Sequence, residues 1–129
     1  METSEILDEQ LRHGVEMEDR LHAFMVAHAD PNMTFSQLHA KVDQFLQESG
    51  YRNLDFLGNF GHSIVSGMPV GSFKELVNDP RVFFDPNSHT KLSEVDCFTF
   101  EPHIRKVGGD YGFKREDIYQ FVDGKLVVV

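Results

Sequence analysis

Residues 98–102 read Phe-Thr-Phe-Glu-Pro, with one potential metal ligand, Glu101, near the centre of a strand-like stretch. Two other short segments share this feature: Gly-His-Ser-Ile at 61–64, with His62, and Lys-Arg-Glu-Asp at 114–117, with Glu116. One imidazole and two carboxylates suit first-row divalent ions such as Mn, Co, Zn or Fe(II). Because the segments lie far apart in the chain, they predict a metal site that only a folded domain could assemble.

The first part of the chain has the periodicity of helices. Residues 4–28 predict a long amphipathic helix, with its apolar positions at Leu7, Leu11, Val15, Leu21 and Met25. Asp30-Pro31-Asn32 then breaks the pattern, and Thr34 with Gln37 three positions later predicts a capping box. The second helix would bury Phe35, Leu38, Val42, Phe45 and Leu46 and end near Gly50.

The second part of the chain has the signals of strands. Residues 95–104 and 112–122 are rich in Phe, Val and Ile, and Asp123-Gly124 predicts a tight hairpin turn into a last strand. Residues 66–94 predict mostly loop, with a small helix at about 72–77. Two helices followed by an antiparallel sheet predict the α+β class, and residues 1–129 have the length of a single domain.

Composition restricts the partners and the compartment. Twelve basic residues against 21 acidic ones give a net charge of −9, which argues against nucleic acid or an anionic membrane as partner. The chain has no apolar run of about 18 residues, and its first residues are acidic where a signal peptide is basic. The one cysteine, Cys97, cannot form an internal disulfide. We therefore expect a cytoplasmic protein.

The three segments resemble those of the pita-bread metallopeptidases, the group of methionine aminopeptidase, prolidase, aminopeptidase P and creatinase, whose patterns read GHGIG, FTIEPGIY and RIEDT. The resemblance covers about residues 4–127 and corresponds to the C-terminal half of that fold. It implies that His62, Glu101 and Glu116 are three of five protein ligands to a pair of divalent metals. It also implies hydrolysis of short peptides of the Xaa-Pro aminopeptidase or prolidase type, with Glu101 as the proton shuttle.

The other two ligands of that family are aspartates that precede the first long helix. The resemblance therefore implies that this chain begins just after them, as a natural truncation or a fragment, and that its own activity is low or nil. Asp30 precedes Pro31 in the turn between the helices, and Asp43 lies inside a helical pattern. Neither is assigned the role of a missing aspartate.

Several positions depart from the family patterns. Glycines of the first pattern become Ser63 and Val65, the glycine after Glu-Pro becomes His103, and the isoleucine of the third pattern becomes Arg115. The family's second histidine, which contacts substrate, aligns near Pro69 and is missing. These departures weaken the expectation of catalytic activity.

Other histidines are candidates for the lost imidazole. His103 is two residues from Glu101, and His89 lies in a predicted loop. For both, the alternative is an exposed polar side chain. Asp19 and His22, at i and i+3, could form half of a di-iron bundle motif. Because no second copy of the motif exists, we expect them on a solvated helix face.

Two functions from different classes therefore stay open. The first is an Xaa-Pro aminopeptidase or prolidase-type metallopeptidase domain with an incomplete metal site. The second is a non-catalytic pita-bread remnant that binds a peptide or a protein. Half of a fold would expose apolar surface, so we expect self-association or pairing with a missing N-terminal half. Creatine hydrolysis is a distant third possibility.

Overall fold

The computed structural model describes residues 2–55, 57–64 and 81–129, with side chains described from residue 8 onward. Two helices come first, and short strands follow. The elements are α1 (Glu2–His28), α2 (Phe35–Glu48), β1 (Tyr51–Asn53), β2 (Ser63–Ile64), a 3-10 helix (Leu92–Glu94), β3 (Cys97–Phe100), β4 (His103–Lys106), β5 (Gly112–Lys114), β6 (Asp117–Val122) and β7 (Lys125–Val128). The predicted α+β class is confirmed.

The strands form two antiparallel sheets where the sequence predicted one. A three-stranded sheet has the order β1-β4-β5, and a four-stranded sheet has the order β2-β3-β6-β7. The predicted strand 95–104 is divided at Glu101-Pro102, so that β3 and β4 belong to different sheets. Proline has no N–H for a ladder, which favours a break at this point. The predicted strand 112–122 is divided in the same way at Arg115-Glu116.

The predicted buried face of α1 is confirmed at Leu21 and Met25 and is wrong at Leu11 and Val15. Leu11 and Val15 are 48% and 59% exposed. The buried positions of this helix are Gly14, Met17, Glu18, Leu21, His22 and Met25. At Gly14 a Cβ atom would lie 2.3 Å from the Phe113 ring of β5. The missing side chain lets β5 pack directly on α1, a close approach that apolar periodicity does not reveal.

The ends of α2 and the last hairpin follow the prediction. Thr34 and Gln37 form the capping box, and Gly50 has a positive φ of 81° after the helix. Asp123 and Gly124 both have positive φ, as the tight turn between β6 and β7 requires. The predicted helix at 72–77 and the position of Pro69 lie outside the described residues.

The core takes side chains from both helices and both sheets and is rich in aromatic rings. Five fully buried phenylalanines contact one another edge to face or tilted: Phe35, Phe60, Phe84, Phe98 and Phe100. Such pairs add to the free energy of burying their area. Phe60 directly precedes the segment with His62, and Phe100 directly precedes Glu101 within its segment. The core therefore supports the backbone of both motifs.

Among the described residues, none of the helices is both long enough and apolar enough to span a bilayer.

Candidate metal centre

The backbone of His62 is attached directly to β3. The His62 N–H donates to the Thr99 hydroxyl at 3.0 Å, and the Thr99 N–H donates to the His62 carbonyl at 2.8 Å. A Cβ atom on Gly61 would lie 2.0 Å from the Thr99 carbonyl oxygen, far inside van der Waals contact. Glycine is therefore the residue that allows this approach.

The imidazole of His62 keeps one nitrogen free for a ligand. Its Nδ1 lies 2.9 Å from the Ser63 carbonyl oxygen, which can only accept a hydrogen bond. In the neutral ring the proton therefore sits on Nδ1, and no hydrogen bond from the described residues occupies the lone pair of Nε2. The side chain is half-buried. This is the tautomer and the exposure that a metal-binding histidine requires.

Glu101 lies where the chain passes from one sheet to the other. Its N–H donates to the Phe60 carbonyl at 2.7 Å, and its Oε1 lies 3.8 Å from Nζ of Lys114. The ammonium partly compensates the charge of the carboxylate. Lys114 belongs to the third motif, and its local sequence does not indicate this contact with Glu101.

The Glu101 carboxyl is also paired with Glu116. Burial raises the pKa of Glu101, and the negative charge of Glu116 and a hydrogen bond between the two carboxyls raise it further. Lys114 and His62 act in the opposite direction. The carboxyl of Glu101 therefore takes up a proton more readily than an ordinary glutamate does. The glutamates of the second and third motifs are thus brought together in the fold.

A cavity of 230 Å³ lies beside these groups, and we call it the motif pocket. It is lined by Asp55, Asn59, Gly61, His62, Phe83, Glu101, His103 and Lys114. The exposed side chain of His103 therefore lines the same cavity as His62 and Glu101, and its role as a substitute for the lost histidine stays a prediction. His89 is exposed beside the N-terminus of α2 and is not among the described residues that line this pocket.

Asp30 and Asp43 have local structural partners. Asp30 Oδ1 accepts the Asn32 N–H at 2.8 Å in the turn after α1, and Asp43 Oδ2 accepts from the Gln47 amide at 2.7 Å on α2. Neither belongs to the described lining of the motif pocket. Their positions give no support for the role of the missing aspartates.

The donor types of the motif pocket suit a divalent ion, but the set is incomplete. Nε2 of His62 and the paired carboxyls of Glu101 and Glu116 are suitable ligands for Mn, Co, Zn or Fe(II). Yet in the described ranges 2–55, 57–64 and 81–129, no three His, Cys, Asp or Glu side chains form a group that could hold a metal ion. Their assignment as ligands stays a prediction.

A second group of polar side chains joins α1 to the segment around Glu116. We call this group the α1 cluster: Glu18, Asp19, His22, Arg115, Asp117 and Tyr119. The expectation of a solvated helix face for His22 is wrong, since only 3% of this residue is exposed. The Tyr119 hydroxyl lies 2.7 Å from Nδ1 of His22, and the Arg115 carbonyl lies 3.2 Å from Nε2. The spacing of apolar residues along α1 could not reveal these partners, because they are distant in sequence.

Burial keeps the centre of the α1 cluster uncharged. It lowers the pKa of His22 and raises the pKa of Tyr119 to about 12. Tyr119 therefore donates to Nδ1, and Nε2–H of His22 donates to the Arg115 carbonyl. Burial also raises the pKa of Glu18 to about 8. Both carboxyl oxygens of Glu18 lack a hydrogen-bond partner among the described residues.

Comparison with known proteins identifies the family. The sequence model of metallopeptidase family M24 matches residues 6–122, which is nearly the whole chain. A search of curated proteins finds no match.

Solved structures share the fold at low sequence identity. The X-Pro aminopeptidase from Thermotoga maritima MSB8 matches with a TM-score of 0.64 and 16% identity, over 92% of this chain and 30% of that one. The prolidase from Pyrococcus furiosus gives 0.66 and 20%, over 91% and 31%. A dipeptidase from Pyrococcus horikoshii OT3 gives 0.68 and 18%, over 93% and 30%. The chain thus spans about a third of the length of these proteins and has the pita-bread architecture of the part that it covers.

Proposed function

The chain belongs to metallopeptidase family M24, and from this premise we propose that it is a metallopeptidase-like domain of the X-Pro aminopeptidase or prolidase type with an incomplete metal site. The observation that carries the proposal is the pairing of Glu101 with Glu116 beside a histidine whose Nε2 is free. Separate elements supply these three groups, so their proximity is a product of the fold. The proposed substrate class is short peptides.

In this proposal His62, Glu101 and Glu116 hold a divalent ion together with ligands from outside this segment. Such an ion would lower the pKa of a bound water and polarise the scissile carbonyl. Glu101 would accept a proton from the attacking water, which is the role that the resemblance implies for it. His103, at the rim of the motif pocket, would orient the peptide, and His89 is the weaker candidate for this role.

The first experiment is a titration of the purified chain with Mn²⁺, Co²⁺ and Zn²⁺, followed by calorimetry and thermal unfolding. We expect weak binding that raises the melting temperature and that His62→Ala abolishes. His13→Ala is the matched control, because His13 is exposed on α1 and lines a different surface pocket. Equal binding by wild type and His62→Ala would contradict the proposed site.

Peptide hydrolysis tests the incompleteness of the site. We expect the chain alone to cleave X-Pro dipeptides slowly or not at all. The resemblance assigns only three of the family's five metal ligands to residues of this chain. Robust cleavage by the chain alone would show that the described residues, or those between 65 and 80, complete the site. The same assay carries creatine as a negative control, which we expect not to react.

A second candidate function is a non-catalytic domain that binds a peptide or a protein. The observation in its favour is the absence, within the described residues, of a group of three that could hold a metal. Exposed apolar side chains, among them Leu57 at 71% and Val107 at 57%, offer contact area to a partner. We propose that this partner is a second copy or an N-terminal half of the fold. A chain that stays monomeric at high concentration in analytical ultracentrifugation would exclude the second copy.

The proposed compartment is the cytoplasm, and nucleic acid and membranes are not proposed as partners. The single cysteine, which cannot form an internal disulfide, supports the first statement, and the net charge of −9 supports the second. A metal response that depends on His62 favours the peptidase-like domain, and its absence favours the binding domain.

A further inference from the structure

One histidine of α1 holds the residues on both sides of Glu116. Nε2 of His22 lies 3.2 Å from the Arg115 carbonyl oxygen, and Nδ1 lies 3.6 Å from Oδ2 of Asp117. The Tyr119 hydroxyl, at 2.7 Å, donates the hydrogen bond that Nδ1 accepts, so Asp117 is a neighbour of this nitrogen and not its hydrogen-bond partner. Both ring nitrogens of His22 are thus hydrogen-bonded, and both hydrogen-bond partners belong to residues 115–119. His22 is unavailable for a ligand of its own.

The directions of the neighbouring side chains determine the direction of Glu116. The Arg115 guanidinium pairs with Asp19 of α1, and Asp117 faces His22. In extended chain, successive side chains point to opposite sides. Because the side chains before and after it turn toward α1, that of Glu116 turns away from the helix. This direction brings its carboxyl to Glu101.

The same imidazole also contacts the segment that carries Glu101. The ring of His22 packs edge to face on Phe100, with 4.7 Å between the ring centroids. Phe100 is the residue before Glu101, and its register partner in the sheet is Asp117, the residue after Glu116. His22 therefore lies beneath both carboxyl-bearing segments. It is 3% exposed, so its position is restricted on every side.

We propose that His22 is a positioning residue that sets the distance between the carboxyls of Glu101 and Glu116. This inference rests on the proposed function, since it assigns the role to a pair of prospective metal ligands. His22 itself touches neither the ion nor the substrate. Partners that orient metal ligands in this indirect way commonly change metal affinity by 10- to 100-fold.

The test uses the full chain and Mn²⁺ as the probe. His22→Phe keeps a ring on Phe100 but removes every hydrogen bond to residues 115–119, and we expect its dissociation constant for Mn²⁺ to rise about 10-fold or more. His22→Gln retains an amide donor near the position of Nε2, so we expect a partial rescue. Tyr119→Phe removes a single bond and serves as a milder second variant if His22→Phe does not fold.

Val42→Ala is the control for stability. Val42 is fully buried on α2 and belongs to the core. We expect it to lower the melting temperature without a change in Mn²⁺ affinity. If His22→Phe and Tyr119→Phe bind Mn²⁺ as tightly as wild type, the proposal is overturned.

Amide hydrogen exchange separates this proposal from the proposed function. We expect the amides of residues 115–119 to exchange faster in His22→Phe than in Val42→Ala, with or without metal. If the wild-type chain binds no Mn²⁺, the proposed function fails, and exchange alone then decides the role of His22. Unchanged exchange in that segment would overturn the positioning role.

Discussion

The motif pocket and the α1 cluster contain the same kinds of side chain but use them differently. Each has a histidine beside two or more carboxyls. In the motif pocket, no hydrogen bond within the described part of the chain uses Nε2 of His62, and Glu101, which is paired with Glu116, borders the cavity. In the α1 cluster, both nitrogens of His22 are used inside the protein. The two histidines therefore differ in their surroundings and not in residue type. The candidate ligand has a ring nitrogen without a described partner beside a cavity, whereas both nitrogens of the structural histidine are hydrogen-bonded.

The two regions also differ in how their charges are balanced. In the motif pocket, the Lys114 ammonium lies beside the Glu101 carboxyl, whose pKa is raised by burial and by the charge of Glu116. In the α1 cluster, Arg115 is paired with Asp19 and Asp117 at the surface, while Glu18 is buried nearby without a hydrogen-bond partner among the described residues. A change of pH should therefore affect folding through the α1 cluster.

The largest expected effect is that of Gly61→Ala, which would break the motif pocket. The added Cβ would overlap the Thr99 carbonyl oxygen, a backbone atom held in the sheet. Overpacking of this kind costs about 3 kcal/mol at the upper end of its usual range. Urea denaturation measures the loss of unfolding free energy. Gly109→Ala is the control, with its nearest contact at 3.0 Å, and an equal loss in both variants would contradict the prediction.

The next effect concerns the pH dependence of stability through Glu18. The pKa of Glu18 is raised from 4.5 to about 8, mainly by burial. Between these values the folded chain keeps a proton that the unfolded chain has released, so stability falls as pH rises. The slope reaches at most about 1.4 kcal/mol per pH unit. We expect Glu18→Gln to remove this loss between about pH 5 and pH 8 in urea denaturation series.

Three neighbours of Glu18 affect the pH dependence of stability that this experiment measures. The positive charge of Arg115 lowers the pKa of Glu18, and the negative charge of Asp19 raises it. His22 acts in the opposite sense, because its lowered pKa makes the folded chain less stable as pH falls below 6.5. A Glu18→Gln curve parallel to that of wild type above pH 6.5 would contradict the prediction.

A smaller effect is expected from deletion of one hydroxyl in the α1 cluster. Tyr119→Phe leaves Nδ1 of His22 buried without its partner at 2.7 Å, which costs about 1–2 kcal/mol. His62→Ala should cost less, because the half-buried His62 imidazole makes one hydrogen bond, to the adjacent carbonyl. Thermal and urea unfolding of the two variants compare the regions directly. A larger loss for His62→Ala would reverse our assignment of which histidine is structural.

The smallest effect is that of Lys114→Met. The Lys114 side chain is 53% exposed, and its ion pair with Glu101 should contribute less than about 1 kcal/mol. Its removal should nevertheless raise the pKa of Glu101, because the ammonium favours the charged carboxylate. Carboxyl chemical shifts in a pH titration measure this change. Lys125→Met, on β7 outside the described lining of the motif pocket, is the matched control.

Local signals in the sequence predicted the elements with strong local chemistry. The capping box of Thr34 and Gln37 and the Asp123-Gly124 turn satisfy backbone groups within a few residues, so neighbouring residues decide them. The division of β3 from β4 at Glu101-Pro102 was missed. Pro102 is a local signal for a break in the ladder, but the sheet that the chain joins after the break depends on pairing with distant strands.

The candidate site was predictable in its residue types and not in its arrangement. Spacing around His62, Glu101 and Glu116 indicated a metal-binding chemistry, and the fold brings the two glutamates together. Lys114 and His103 at the motif pocket and the burial of His22 depend on contacts between residues far apart in the chain. Apolar periodicity placed Leu11 and Val15 inside, yet α1 buries Glu18 and His22, and β6 supplies a hydrogen-bond partner, Tyr119, to His22.

The sequence by itself determined the two helices, their caps, the last hairpin, the family and the donor types of the metal motifs. These properties follow from short-range hydrogen bonding and from residue identity within single segments. Only the tertiary structure decided that both ring nitrogens of His22 are hydrogen-bonded, whereas Nε2 of His62 has no partner among the described residues. That distinction depends on atoms supplied by distant elements, such as the Tyr119 hydroxyl for His22, and no local pattern contains this information.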